Sequence, residues 1–298
     1  MRKILVGVGT YNRNELLKKC LLSLGKLTVP TDCIIEIAIS DNNPNKEAFS
    51  VYEECSKNIS FKIHYEHEPE KSIAAVRNKV LDVALRENAA YIAFLDDDEY
   101  VDKEWIKELY NCLLENNADA STSYPQRICN GELQDIPLNI TKRKYGSTRN
   151  VCATSSVLFS SKLIKECELR FDTNFGLMTG EDIDFFGRAT KLGCKIVWCD
   201  KIVVFAELPE ERKTLRWKMD RAFNNGYLKI FLNKKNNSPL TKKYYKMLFD
   251  LSIFALLTLL VSPVSQALKE KCILKFMDCF GKLKTIYNDT IYEHYKRD

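Results

Sequence analysis

Apolar residues in the first third of the chain form two kinds of pattern that alternate along the sequence. Continuous runs at 4–8, 34–39, 61–65 and 91–95 are typical of strands. Between them lie two helical faces, formed by Leu16, Leu17, Cys20, Leu21 and Leu24 and then by Ile73, Val76, Val80, Leu81 and Ala84. We expect Asn12 or Asn14 to cap the first helix. Because crossovers of this length join parallel strands, the pattern predicts an α/β layer structure.

The rest of the chain continues with shorter elements and then changes in composition. The pattern predicts a strand at 151–159, a helix from Gly180 to Leu192 and two short strands within 195–205, and it predicts a loop at 126–150. A lysine-rich segment then leads into the most apolar stretch, 248–268. This shift predicts one domain over 1–235 and a helical C-terminal segment over 236–298.

Polar residues follow three of the predicted strands, at the ends where open parallel sheets bind their ligands. They are Thr10, Tyr11, Asn12 and Arg13 after the first strand, Asp41 and Asn42 after the second, and Asp96, Asp97 and Asp98 after the fourth. We therefore expect a ligand site at this edge of the sheet.

The aspartate triplet predicts a metal site. Asp96 and Asp98 alternate along an extended chain and should point to the same side. Mg²⁺ or Mn²⁺ takes one or two protein carboxylates and completes its coordination with water and phosphate oxygens. An acidic turn that favours the start of the next helix is the alternative. The position of the triplet after an apolar strand favours the metal.

Three carboxylates, Glu181, Asp182 and Asp184, open the helix after Gly180. Carboxylates at a helix N-terminus ordinarily interact with the helix dipole, and this is the alternative explanation. Three of them exceed what capping requires, so one is a candidate general base. Arg77 lies on a helix whose other face is apolar, and it is either a solvated helix residue or a partner for a diphosphate or for the acidic site.

These motifs, in this order, resemble family 2 glycosyltransferases of the GT-A fold, which has a Rossmann-like mixed sheet flanked by helices. The resemblance implies inverting transfer from a nucleotide-sugar donor, usually a UDP-sugar, with Mn²⁺ or Mg²⁺ bound by Asp96 and Asp98 and with Asp182 as the base beside Glu181 and Asp184. It implies that the donor is bound by Thr10, Tyr11, Asn12, Arg13, Asp41, Asn42, Arg77, Asn78 and Asp97.

Two departures from that family pattern refine the expectation. Processive members carry Gln-x-x-Arg-Trp, whereas this chain has Thr214-Leu215-Arg216-Trp217 without the glutamine. It also lacks the several membrane spans of those synthases, so we expect transfer of a single sugar. Many members place a metal-binding histidine after a late strand, where this chain offers Glu207. His64 and His67 lie elsewhere and are predicted to be surface residues.

Composition narrows the classes of function. The net charge of +5 is spread along the chain, which does not favour nucleic acid as a ligand. The eleven cysteines contain no C-x-x-C pair, which favours free thiols and a cytoplasmic location. A dehalogenase-type phosphatase would need a small Thr or Val after Asp-x-Asp, but Glu99 and Tyr100 follow. The remaining alternative is a catalytically silent nucleotide-sugar binding protein of the same fold.

The C-terminal apolar run predicts contact with a membrane surface. The run 251–261 is preceded by Asp250 and ended by Ser262 and Pro263, so it falls short of the roughly 20 residues that a span requires. Lysines flank it on both sides, which favours an in-plane or re-entrant helix on the cytoplasmic face and hence a glycan or glycolipid acceptor. An ordinary buried helix is the alternative.

Overall fold

The computed structural model describes residues 1–124, 126–129, 132–133, 143–202, 204–207, 210–236, 249–250, 252–257 and 265–287. Contacts group the chain into two compact units. The first comprises Met1–Gly176 and Glu181–Glu207, and the second comprises Leu177–Gly180 and Leu208–Asp298. The change of unit at 208 precedes the predicted boundary at 235, because the helix that ends at Lys235 packs along a helix that follows it.

The first unit is built on two sheets. Their strands are β1 (Arg2–Thr10), β2 (Cys33–Asp41), β3 (Lys62–His67), β4 (Tyr91–Asp96), β5 (Glu99–Val101), β6 (Ala120–Thr122), β7 (Gln126–Cys129), β8 (Glu132–Leu133), β9 (Thr148–Arg149), β10 (Val157–Ser160), β11 (Ile196–Trp198) and β12 (Val204–Glu207). The order is β3-β2-β1-β4-β10-β6-β11-β9 in the larger sheet and β5-β12-β7-β8 in the smaller. Strands β1 to β4 are parallel, and β10 is antiparallel to β4 and β6, which confirms the mixed sheet.

Helices cover both faces of the larger sheet. They are α1 (Asn14–Leu24), α2 (Phe49–Asn58), α3 (Ile73–Arg86), α4 (Trp105–Glu115), α5 (Lys162–Lys165) and α6 (Glu181–Lys191). Alternate residues of β1 face opposite layers: Ile4, Val6 and Val8 pack with α1, α2 and α4, and Leu5 packs with α3 and α6. The apolar run that predicted β1 is therefore continuous because both of its faces are buried.

The second unit pairs two long helices, α7 (Leu215–Lys235) and α8 (Gln266–Tyr287), which run parallel. Their backbones meet at two glycines. A Cβ at Gly226 would overlap the carbonyl oxygen of Asp278, and a Cβ at Gly281 would overlap that of Phe223. Residues 252–257, also helical, expose Leu256 to 57%. None of the described helices combines the length and apolar character needed to cross a bilayer.

Four local expectations are corrected by the structure. The N-cap of α1 is Arg13, with no side-chain cap bond, while Asn12 takes a left-handed backbone at φ 52°. The strand predicted over 151–159 is limited to β10, and the segment predicted as a loop over 126–150 contains β7, β8 and β9. His64, predicted at the surface, is buried because its ring lies between Glu36, at 2.6 Å, and Glu87.

Candidate active site

The polar residues after three parallel strands lie along one edge of the sheet, as predicted. Thr10 pairs in register with Asp41 across β1 and β2, and Gly9 pairs with Asp96 across β1 and β4. The backbone N–H of Asn42 donates to the carbonyl of Thr10 at 3.0 Å. These motifs, distant in sequence, therefore form one continuous rim.

Asp41 organises the loop that follows β2. Its carboxylate accepts hydrogen bonds from the N–H groups of Asn43 (2.9 Å) and Ala48 (3.0 Å) and from the hydroxyl of Tyr65 (2.8 Å). Burial and the bond to Asp41 raise the pKa of Tyr65, which keeps its hydroxyl a donor. The Asn42 amide donates to the carbonyls of Glu68 and Glu70, both at 2.6 Å. The loop geometry is thus determined by buried side chains.

The first strand is joined to this loop and to the aspartate triplet. Asn12 and the buried Asn43 share a hydrogen bond between their side chains. Arg13 pairs with Asp97 at 3.0 Å and with Asp98 at 3.4 Å. Tyr11, between Thr10 and Asn12 in the chain, is half-buried. All four predicted residues of the Thr10–Arg13 segment therefore belong to the rim.

Asp97 faces the protein rather than the solvent. It is 5% exposed and accepts a hydrogen bond from the Thr10 hydroxyl at 2.8 Å. Burial raises the pKa of Asp97 to about 6, although the Arg13 guanidinium opposes the shift. In the structure, Asp97 links β1 to the turn after β4. Its predicted contact with the donor stays a prediction.

The metal-binding prediction is tested by the positions of the neighbouring carboxylates. Asp96, Asp98 and Glu99 each offer an oxygen, and these oxygens lie within 4.8 Å of one another. Strand β4 ends at Asp96, so the turn and not strand alternation brings Asp98 back beside it. An all-oxygen set of this kind suits Mg²⁺ or Mn²⁺. The residues therefore fit the predicted ion, with Glu99 as a third candidate ligand.

Arg77 connects the metal cluster to the carboxylates of α6. Its guanidinium forms an ion pair with Glu181 and lies 3.8 Å from Asp96. Its side chain is 14% exposed and packs over the ring of Phe171, 5.8 Å from the centroid. The solvated-helix alternative is wrong, and the pairing with the acidic site is confirmed.

The three carboxylates of α6 differ in their surroundings. Glu181 is 3% exposed and pairs with Arg77, and Asp184 is 6% exposed and pairs with Arg188 at 2.8 Å. Asp182 is half-buried, accepts a hydrogen bond from the N–H of Ile183 at 2.7 Å, and forms no ion pair with the described part of the chain. Asp182 thus differs from its two neighbours, which are paired with arginines, and its role as the base stays a prediction.

Asn78 has a different environment from the rest of the predicted donor site. Its amide nitrogen donates to the carbonyl of Phe171 at 2.8 Å, and its amide oxygen accepts from the N–H of Phe171 at 2.9 Å. This reciprocal pair binds α3 to the chain before α6. Asn78 thus holds the backbone of Phe171, the residue whose ring packs against Arg77. Its predicted contact with the donor stays a prediction.

A family comparison decides between the classes that this geometry allows. The sequence profile described as "Glycosyl transferase family 2" matches residues 5–161. The chain belongs to this family.

Relatives of this glycosyltransferase support the assignment. The succinoglycan biosynthesis protein ExoM of Rhizobium meliloti is 30% identical over 229 residues, which cover 74% of this chain and 72% of that protein. The poly(ribitol-phosphate) beta-glucosyltransferase of Bacillus spizizenii is 26% identical over 58% of this chain and only 27% of its own length. The chain is thus related to enzymes of polysaccharide biosynthesis.

Solved structures share the glycosyltransferase fold. S. aureus TarS in complex with UDP-GlcNAc aligns with a TM-score of 0.59 at 17% identity and covers 96% of this chain and 92% of its own. GalNAc-T7 with UDP, GalNAc and Mn²⁺ aligns with a TM-score of 0.55 at 14% identity, over 70% of this chain and 44% of its own. At these identities the likeness shows the fold alone, which confirms the GT-A prediction.

Sequence reasoning on this glycosyltransferase missed Asn43 and Glu99, although both adjoin predicted site residues. Asn43 follows Asp41 and Asn42, and Glu99 follows the triplet. Their position next to predicted site residues is the signal that could have identified them. The side chain of Glu207, the other candidate metal ligand, lies outside what the structure describes.

Proposed function

We propose that this chain transfers a single sugar from a UDP-sugar donor to an acceptor hydroxyl with inversion, in the synthesis of a cell-surface polysaccharide or glycolipid. The proposal rests on one observation: the site contains two acidic groups that lie on different elements and have different surroundings. Asp96, Asp98 and Glu99 form a shared oxygen cluster, and Asp182, on another element, has no ion pair among the described residues. Arg77 lies between the two groups, 3.8 Å from Asp96 and paired with Glu181 next to Asp182.

Asp182 would remove the proton of the acceptor hydroxyl while that oxygen attacks the anomeric carbon and the bond to the diphosphate breaks. Its half-buried side chain is accessible to an acceptor, while its neighbours Glu181 and Asp184 are neutralised by arginines. Inversion requires a base opposite the leaving group. A carboxylate on a different element from the diphosphate cluster is consistent with that arrangement.

Asp96, Asp98 and Glu99 would hold Mn²⁺ or Mg²⁺. The bound ion neutralises charge on a departing diphosphate. The rim formed by Thr10–Arg13 and by Asp41 and Asn42 would receive the nucleotide, because its loops are braced from within and present backbone groups at the carboxyl edge of the sheet.

The test is a donor assay with UDP-, GDP- and dTDP-sugars that measures release of the nucleoside diphosphate, with and without Mn²⁺. We expect Asp182→Asn to lower kcat by about 10² to 10⁴ with unchanged donor affinity, since it removes only the base. Asp98→Asn should abolish the stimulation by metal. The exposed Asp200→Asn is the matched control. Donor binding without any turnover by the wild-type chain would instead support the silent binding protein.

We further propose that the C-terminal part contacts the cytoplasmic face of a membrane and there meets a glycan or glycolipid acceptor. Leu256 exposes 57% of its surface, which argues against the buried-helix alternative for this part of the run, and Phe249, just before the run, exposes 66%. Lysines on α8 at 269, 271 and 275 supply positive charge. Lys242, Lys243 and Lys246 lie outside the described residues.

A further inference from the structure

The short segment Leu177–Gly180 leads directly into α6, which begins at Glu181, yet it belongs to the second unit. Within that unit it is bound to α7. The side-chain nitrogen of Asn224 donates to the Thr179 hydroxyl at 2.6 Å, and Asn224 is completely buried. Thr179, which makes this contact, is therefore only two residues before Glu181, the first residue of the helix that carries Asp182.

Gly180 adds a second constraint on the same segment. Its φ of +111° is a conformation that L side chains rarely adopt, and a Cβ at this position would overlap the methyl groups of Leu228. Leu228 lies four residues after Asn224 and so shares its face of α7. One helix face thus contacts two successive residues immediately before α6.

Helix α7 packs closely against α8. Its backbone touches that of α8 at Gly226 and at Gly281, and the Thr285 hydroxyl, which donates to the carbonyl of Gly281 at 2.8 Å, also lies 3.3 Å from the carbonyl of Tyr227. Close backbone contact at two glycines leaves little freedom for sliding between the helices. The face of α7 that holds Thr179 and Gly180 is therefore supported from behind by the C-terminal helix.

The chemistry of Asn224 indicates why an amide occupies this position. Its side-chain oxygen is buried without a hydrogen-bond partner among the described residues. An unpaired buried acceptor is unfavourable, and replacing both partners of a buried hydrogen bond with apolar groups of the same shape can be nearly neutral for stability. What an apolar residue could not supply is the bond to Thr179.

We infer that Asn224 and Thr179 are positioning residues, which hold the start of α6 so that Asp182 is oriented for proton abstraction. This inference rests on the proposed role of Asp182. Because α8 supports α7, it also gives the C-terminal helix pair a part in sugar transfer that is separate from membrane contact.

Thr179→Val and Asn224→Leu test the inference in the full-length chain. Each should lower kcat by about tenfold to a hundredfold, the range expected when a catalytic group is misplaced, while the KM for the donor stays unchanged and the Tm falls by no more than the loss of one hydrogen bond explains. Thr179→Ser keeps the hydroxyl and should restore wild-type kcat. The kcat of the double variant should be no lower than that of either single variant, because all three variants lose the same hydrogen bond between Asn224 and Thr179. Asn225→Leu, an exposed neighbour on α7, is the matched control.

Hydrogen exchange supplies a readout that does not depend on activity. The amides at 182–186 should exchange faster in Thr179→Val than in the wild type or in Thr179→Ser. Unchanged exchange there, or a loss of Tm with normal kcat, would overturn the inference. If the wild type shows no turnover, the proposed function fails, and the exchange experiment still decides whether Asn224 and Thr179 order the start of α6.

Discussion

At the scale of single residues, the pair formed by Arg77 and Glu181 places two charges where little water reaches them. The side chain of Glu181 is 4% exposed and that of Arg77 is 14% exposed. Arg77→Met would leave the Glu181 carboxylate buried and unpaired, so we expect it to lower the free energy of unfolding by about 3–5 kcal/mol. Urea denaturation measures the loss.

The control for this prediction lies on the same helix. Arg86 pairs with Glu66 at the surface with 52% of its side chain exposed, so Arg86→Met should cost less than about 1 kcal/mol. Adding Glu181→Gln to Arg77→Met should recover part of the loss, because the unpaired charge is removed. Equal effects of the two arginine substitutions would contradict the assigned pairing.

At the scale of elements, the glycines of β1 set the distance between the sheet and α3. A Cβ at Gly9 would overlap a methyl group of Val76, one residue before Arg77. We expect Gly9→Ala to destabilise the fold by about 1–3 kcal/mol through overpacking and to reduce transfer because α3 shifts. Val76→Ala should rescue both properties by restoring the space.

Thermal unfolding and the donor assay check this prediction together. Gly187→Ala serves as the control, since an added Cβ meets only Val151 at an ordinary 3.6 Å and alanine favours a helix over glycine by about 1 kcal/mol. A Gly9→Ala chain with normal stability and activity would show that α3 accommodates the methyl group without moving.

At the scale of the whole molecule, the exposed apolar side chains of the second unit predict binding to anionic membranes. Full-length protein should sediment with phosphatidylglycerol vesicles at low salt and be released as salt screens the lysines. Leu256→Asp should weaken the binding. Leu192→Asp should not, because that leucine is equally exposed, at 60%, but lies in the first unit. Protein that stays in solution at low salt would indicate that the apolar run packs against the chain itself.

Truncation of the chain at the composition boundary would be a poor test of membrane contact, because of how the helices of the second unit pack. The composition boundary at 235 would divide α7 from α8, which pack backbone to backbone at Gly226 and Gly281. Removing α8 would expose this contact face. A loss of solubility on truncation there would therefore report lost packing of α7, so point substitutions are the sharper test of membrane contact.

Much of the fold and of the rim was predictable from local pattern. Runs of apolar residues revealed β1 to β4, and polar residues at strand ends revealed the site, because parallel strands bring their carboxyl ends to one edge. The family resemblance added roles that remain predictions where the structure does not test them. The position of Asp182 on a helix N-terminus was also visible in the sequence.

The sequence by itself determined which residue types stand at the sheet edge and that an acidic helix start follows far along the chain. Only the tertiary structure decided that Asp97 turns inward, that Glu99 joins Asp96 and Asp98, and that His64 is buried. It alone brought Arg77 to Glu181 and Asn224 to Thr179. The physical reason is that burial and pairing depend on contacts between segments far apart in the chain, whereas periodicity and spacing report only on neighbours.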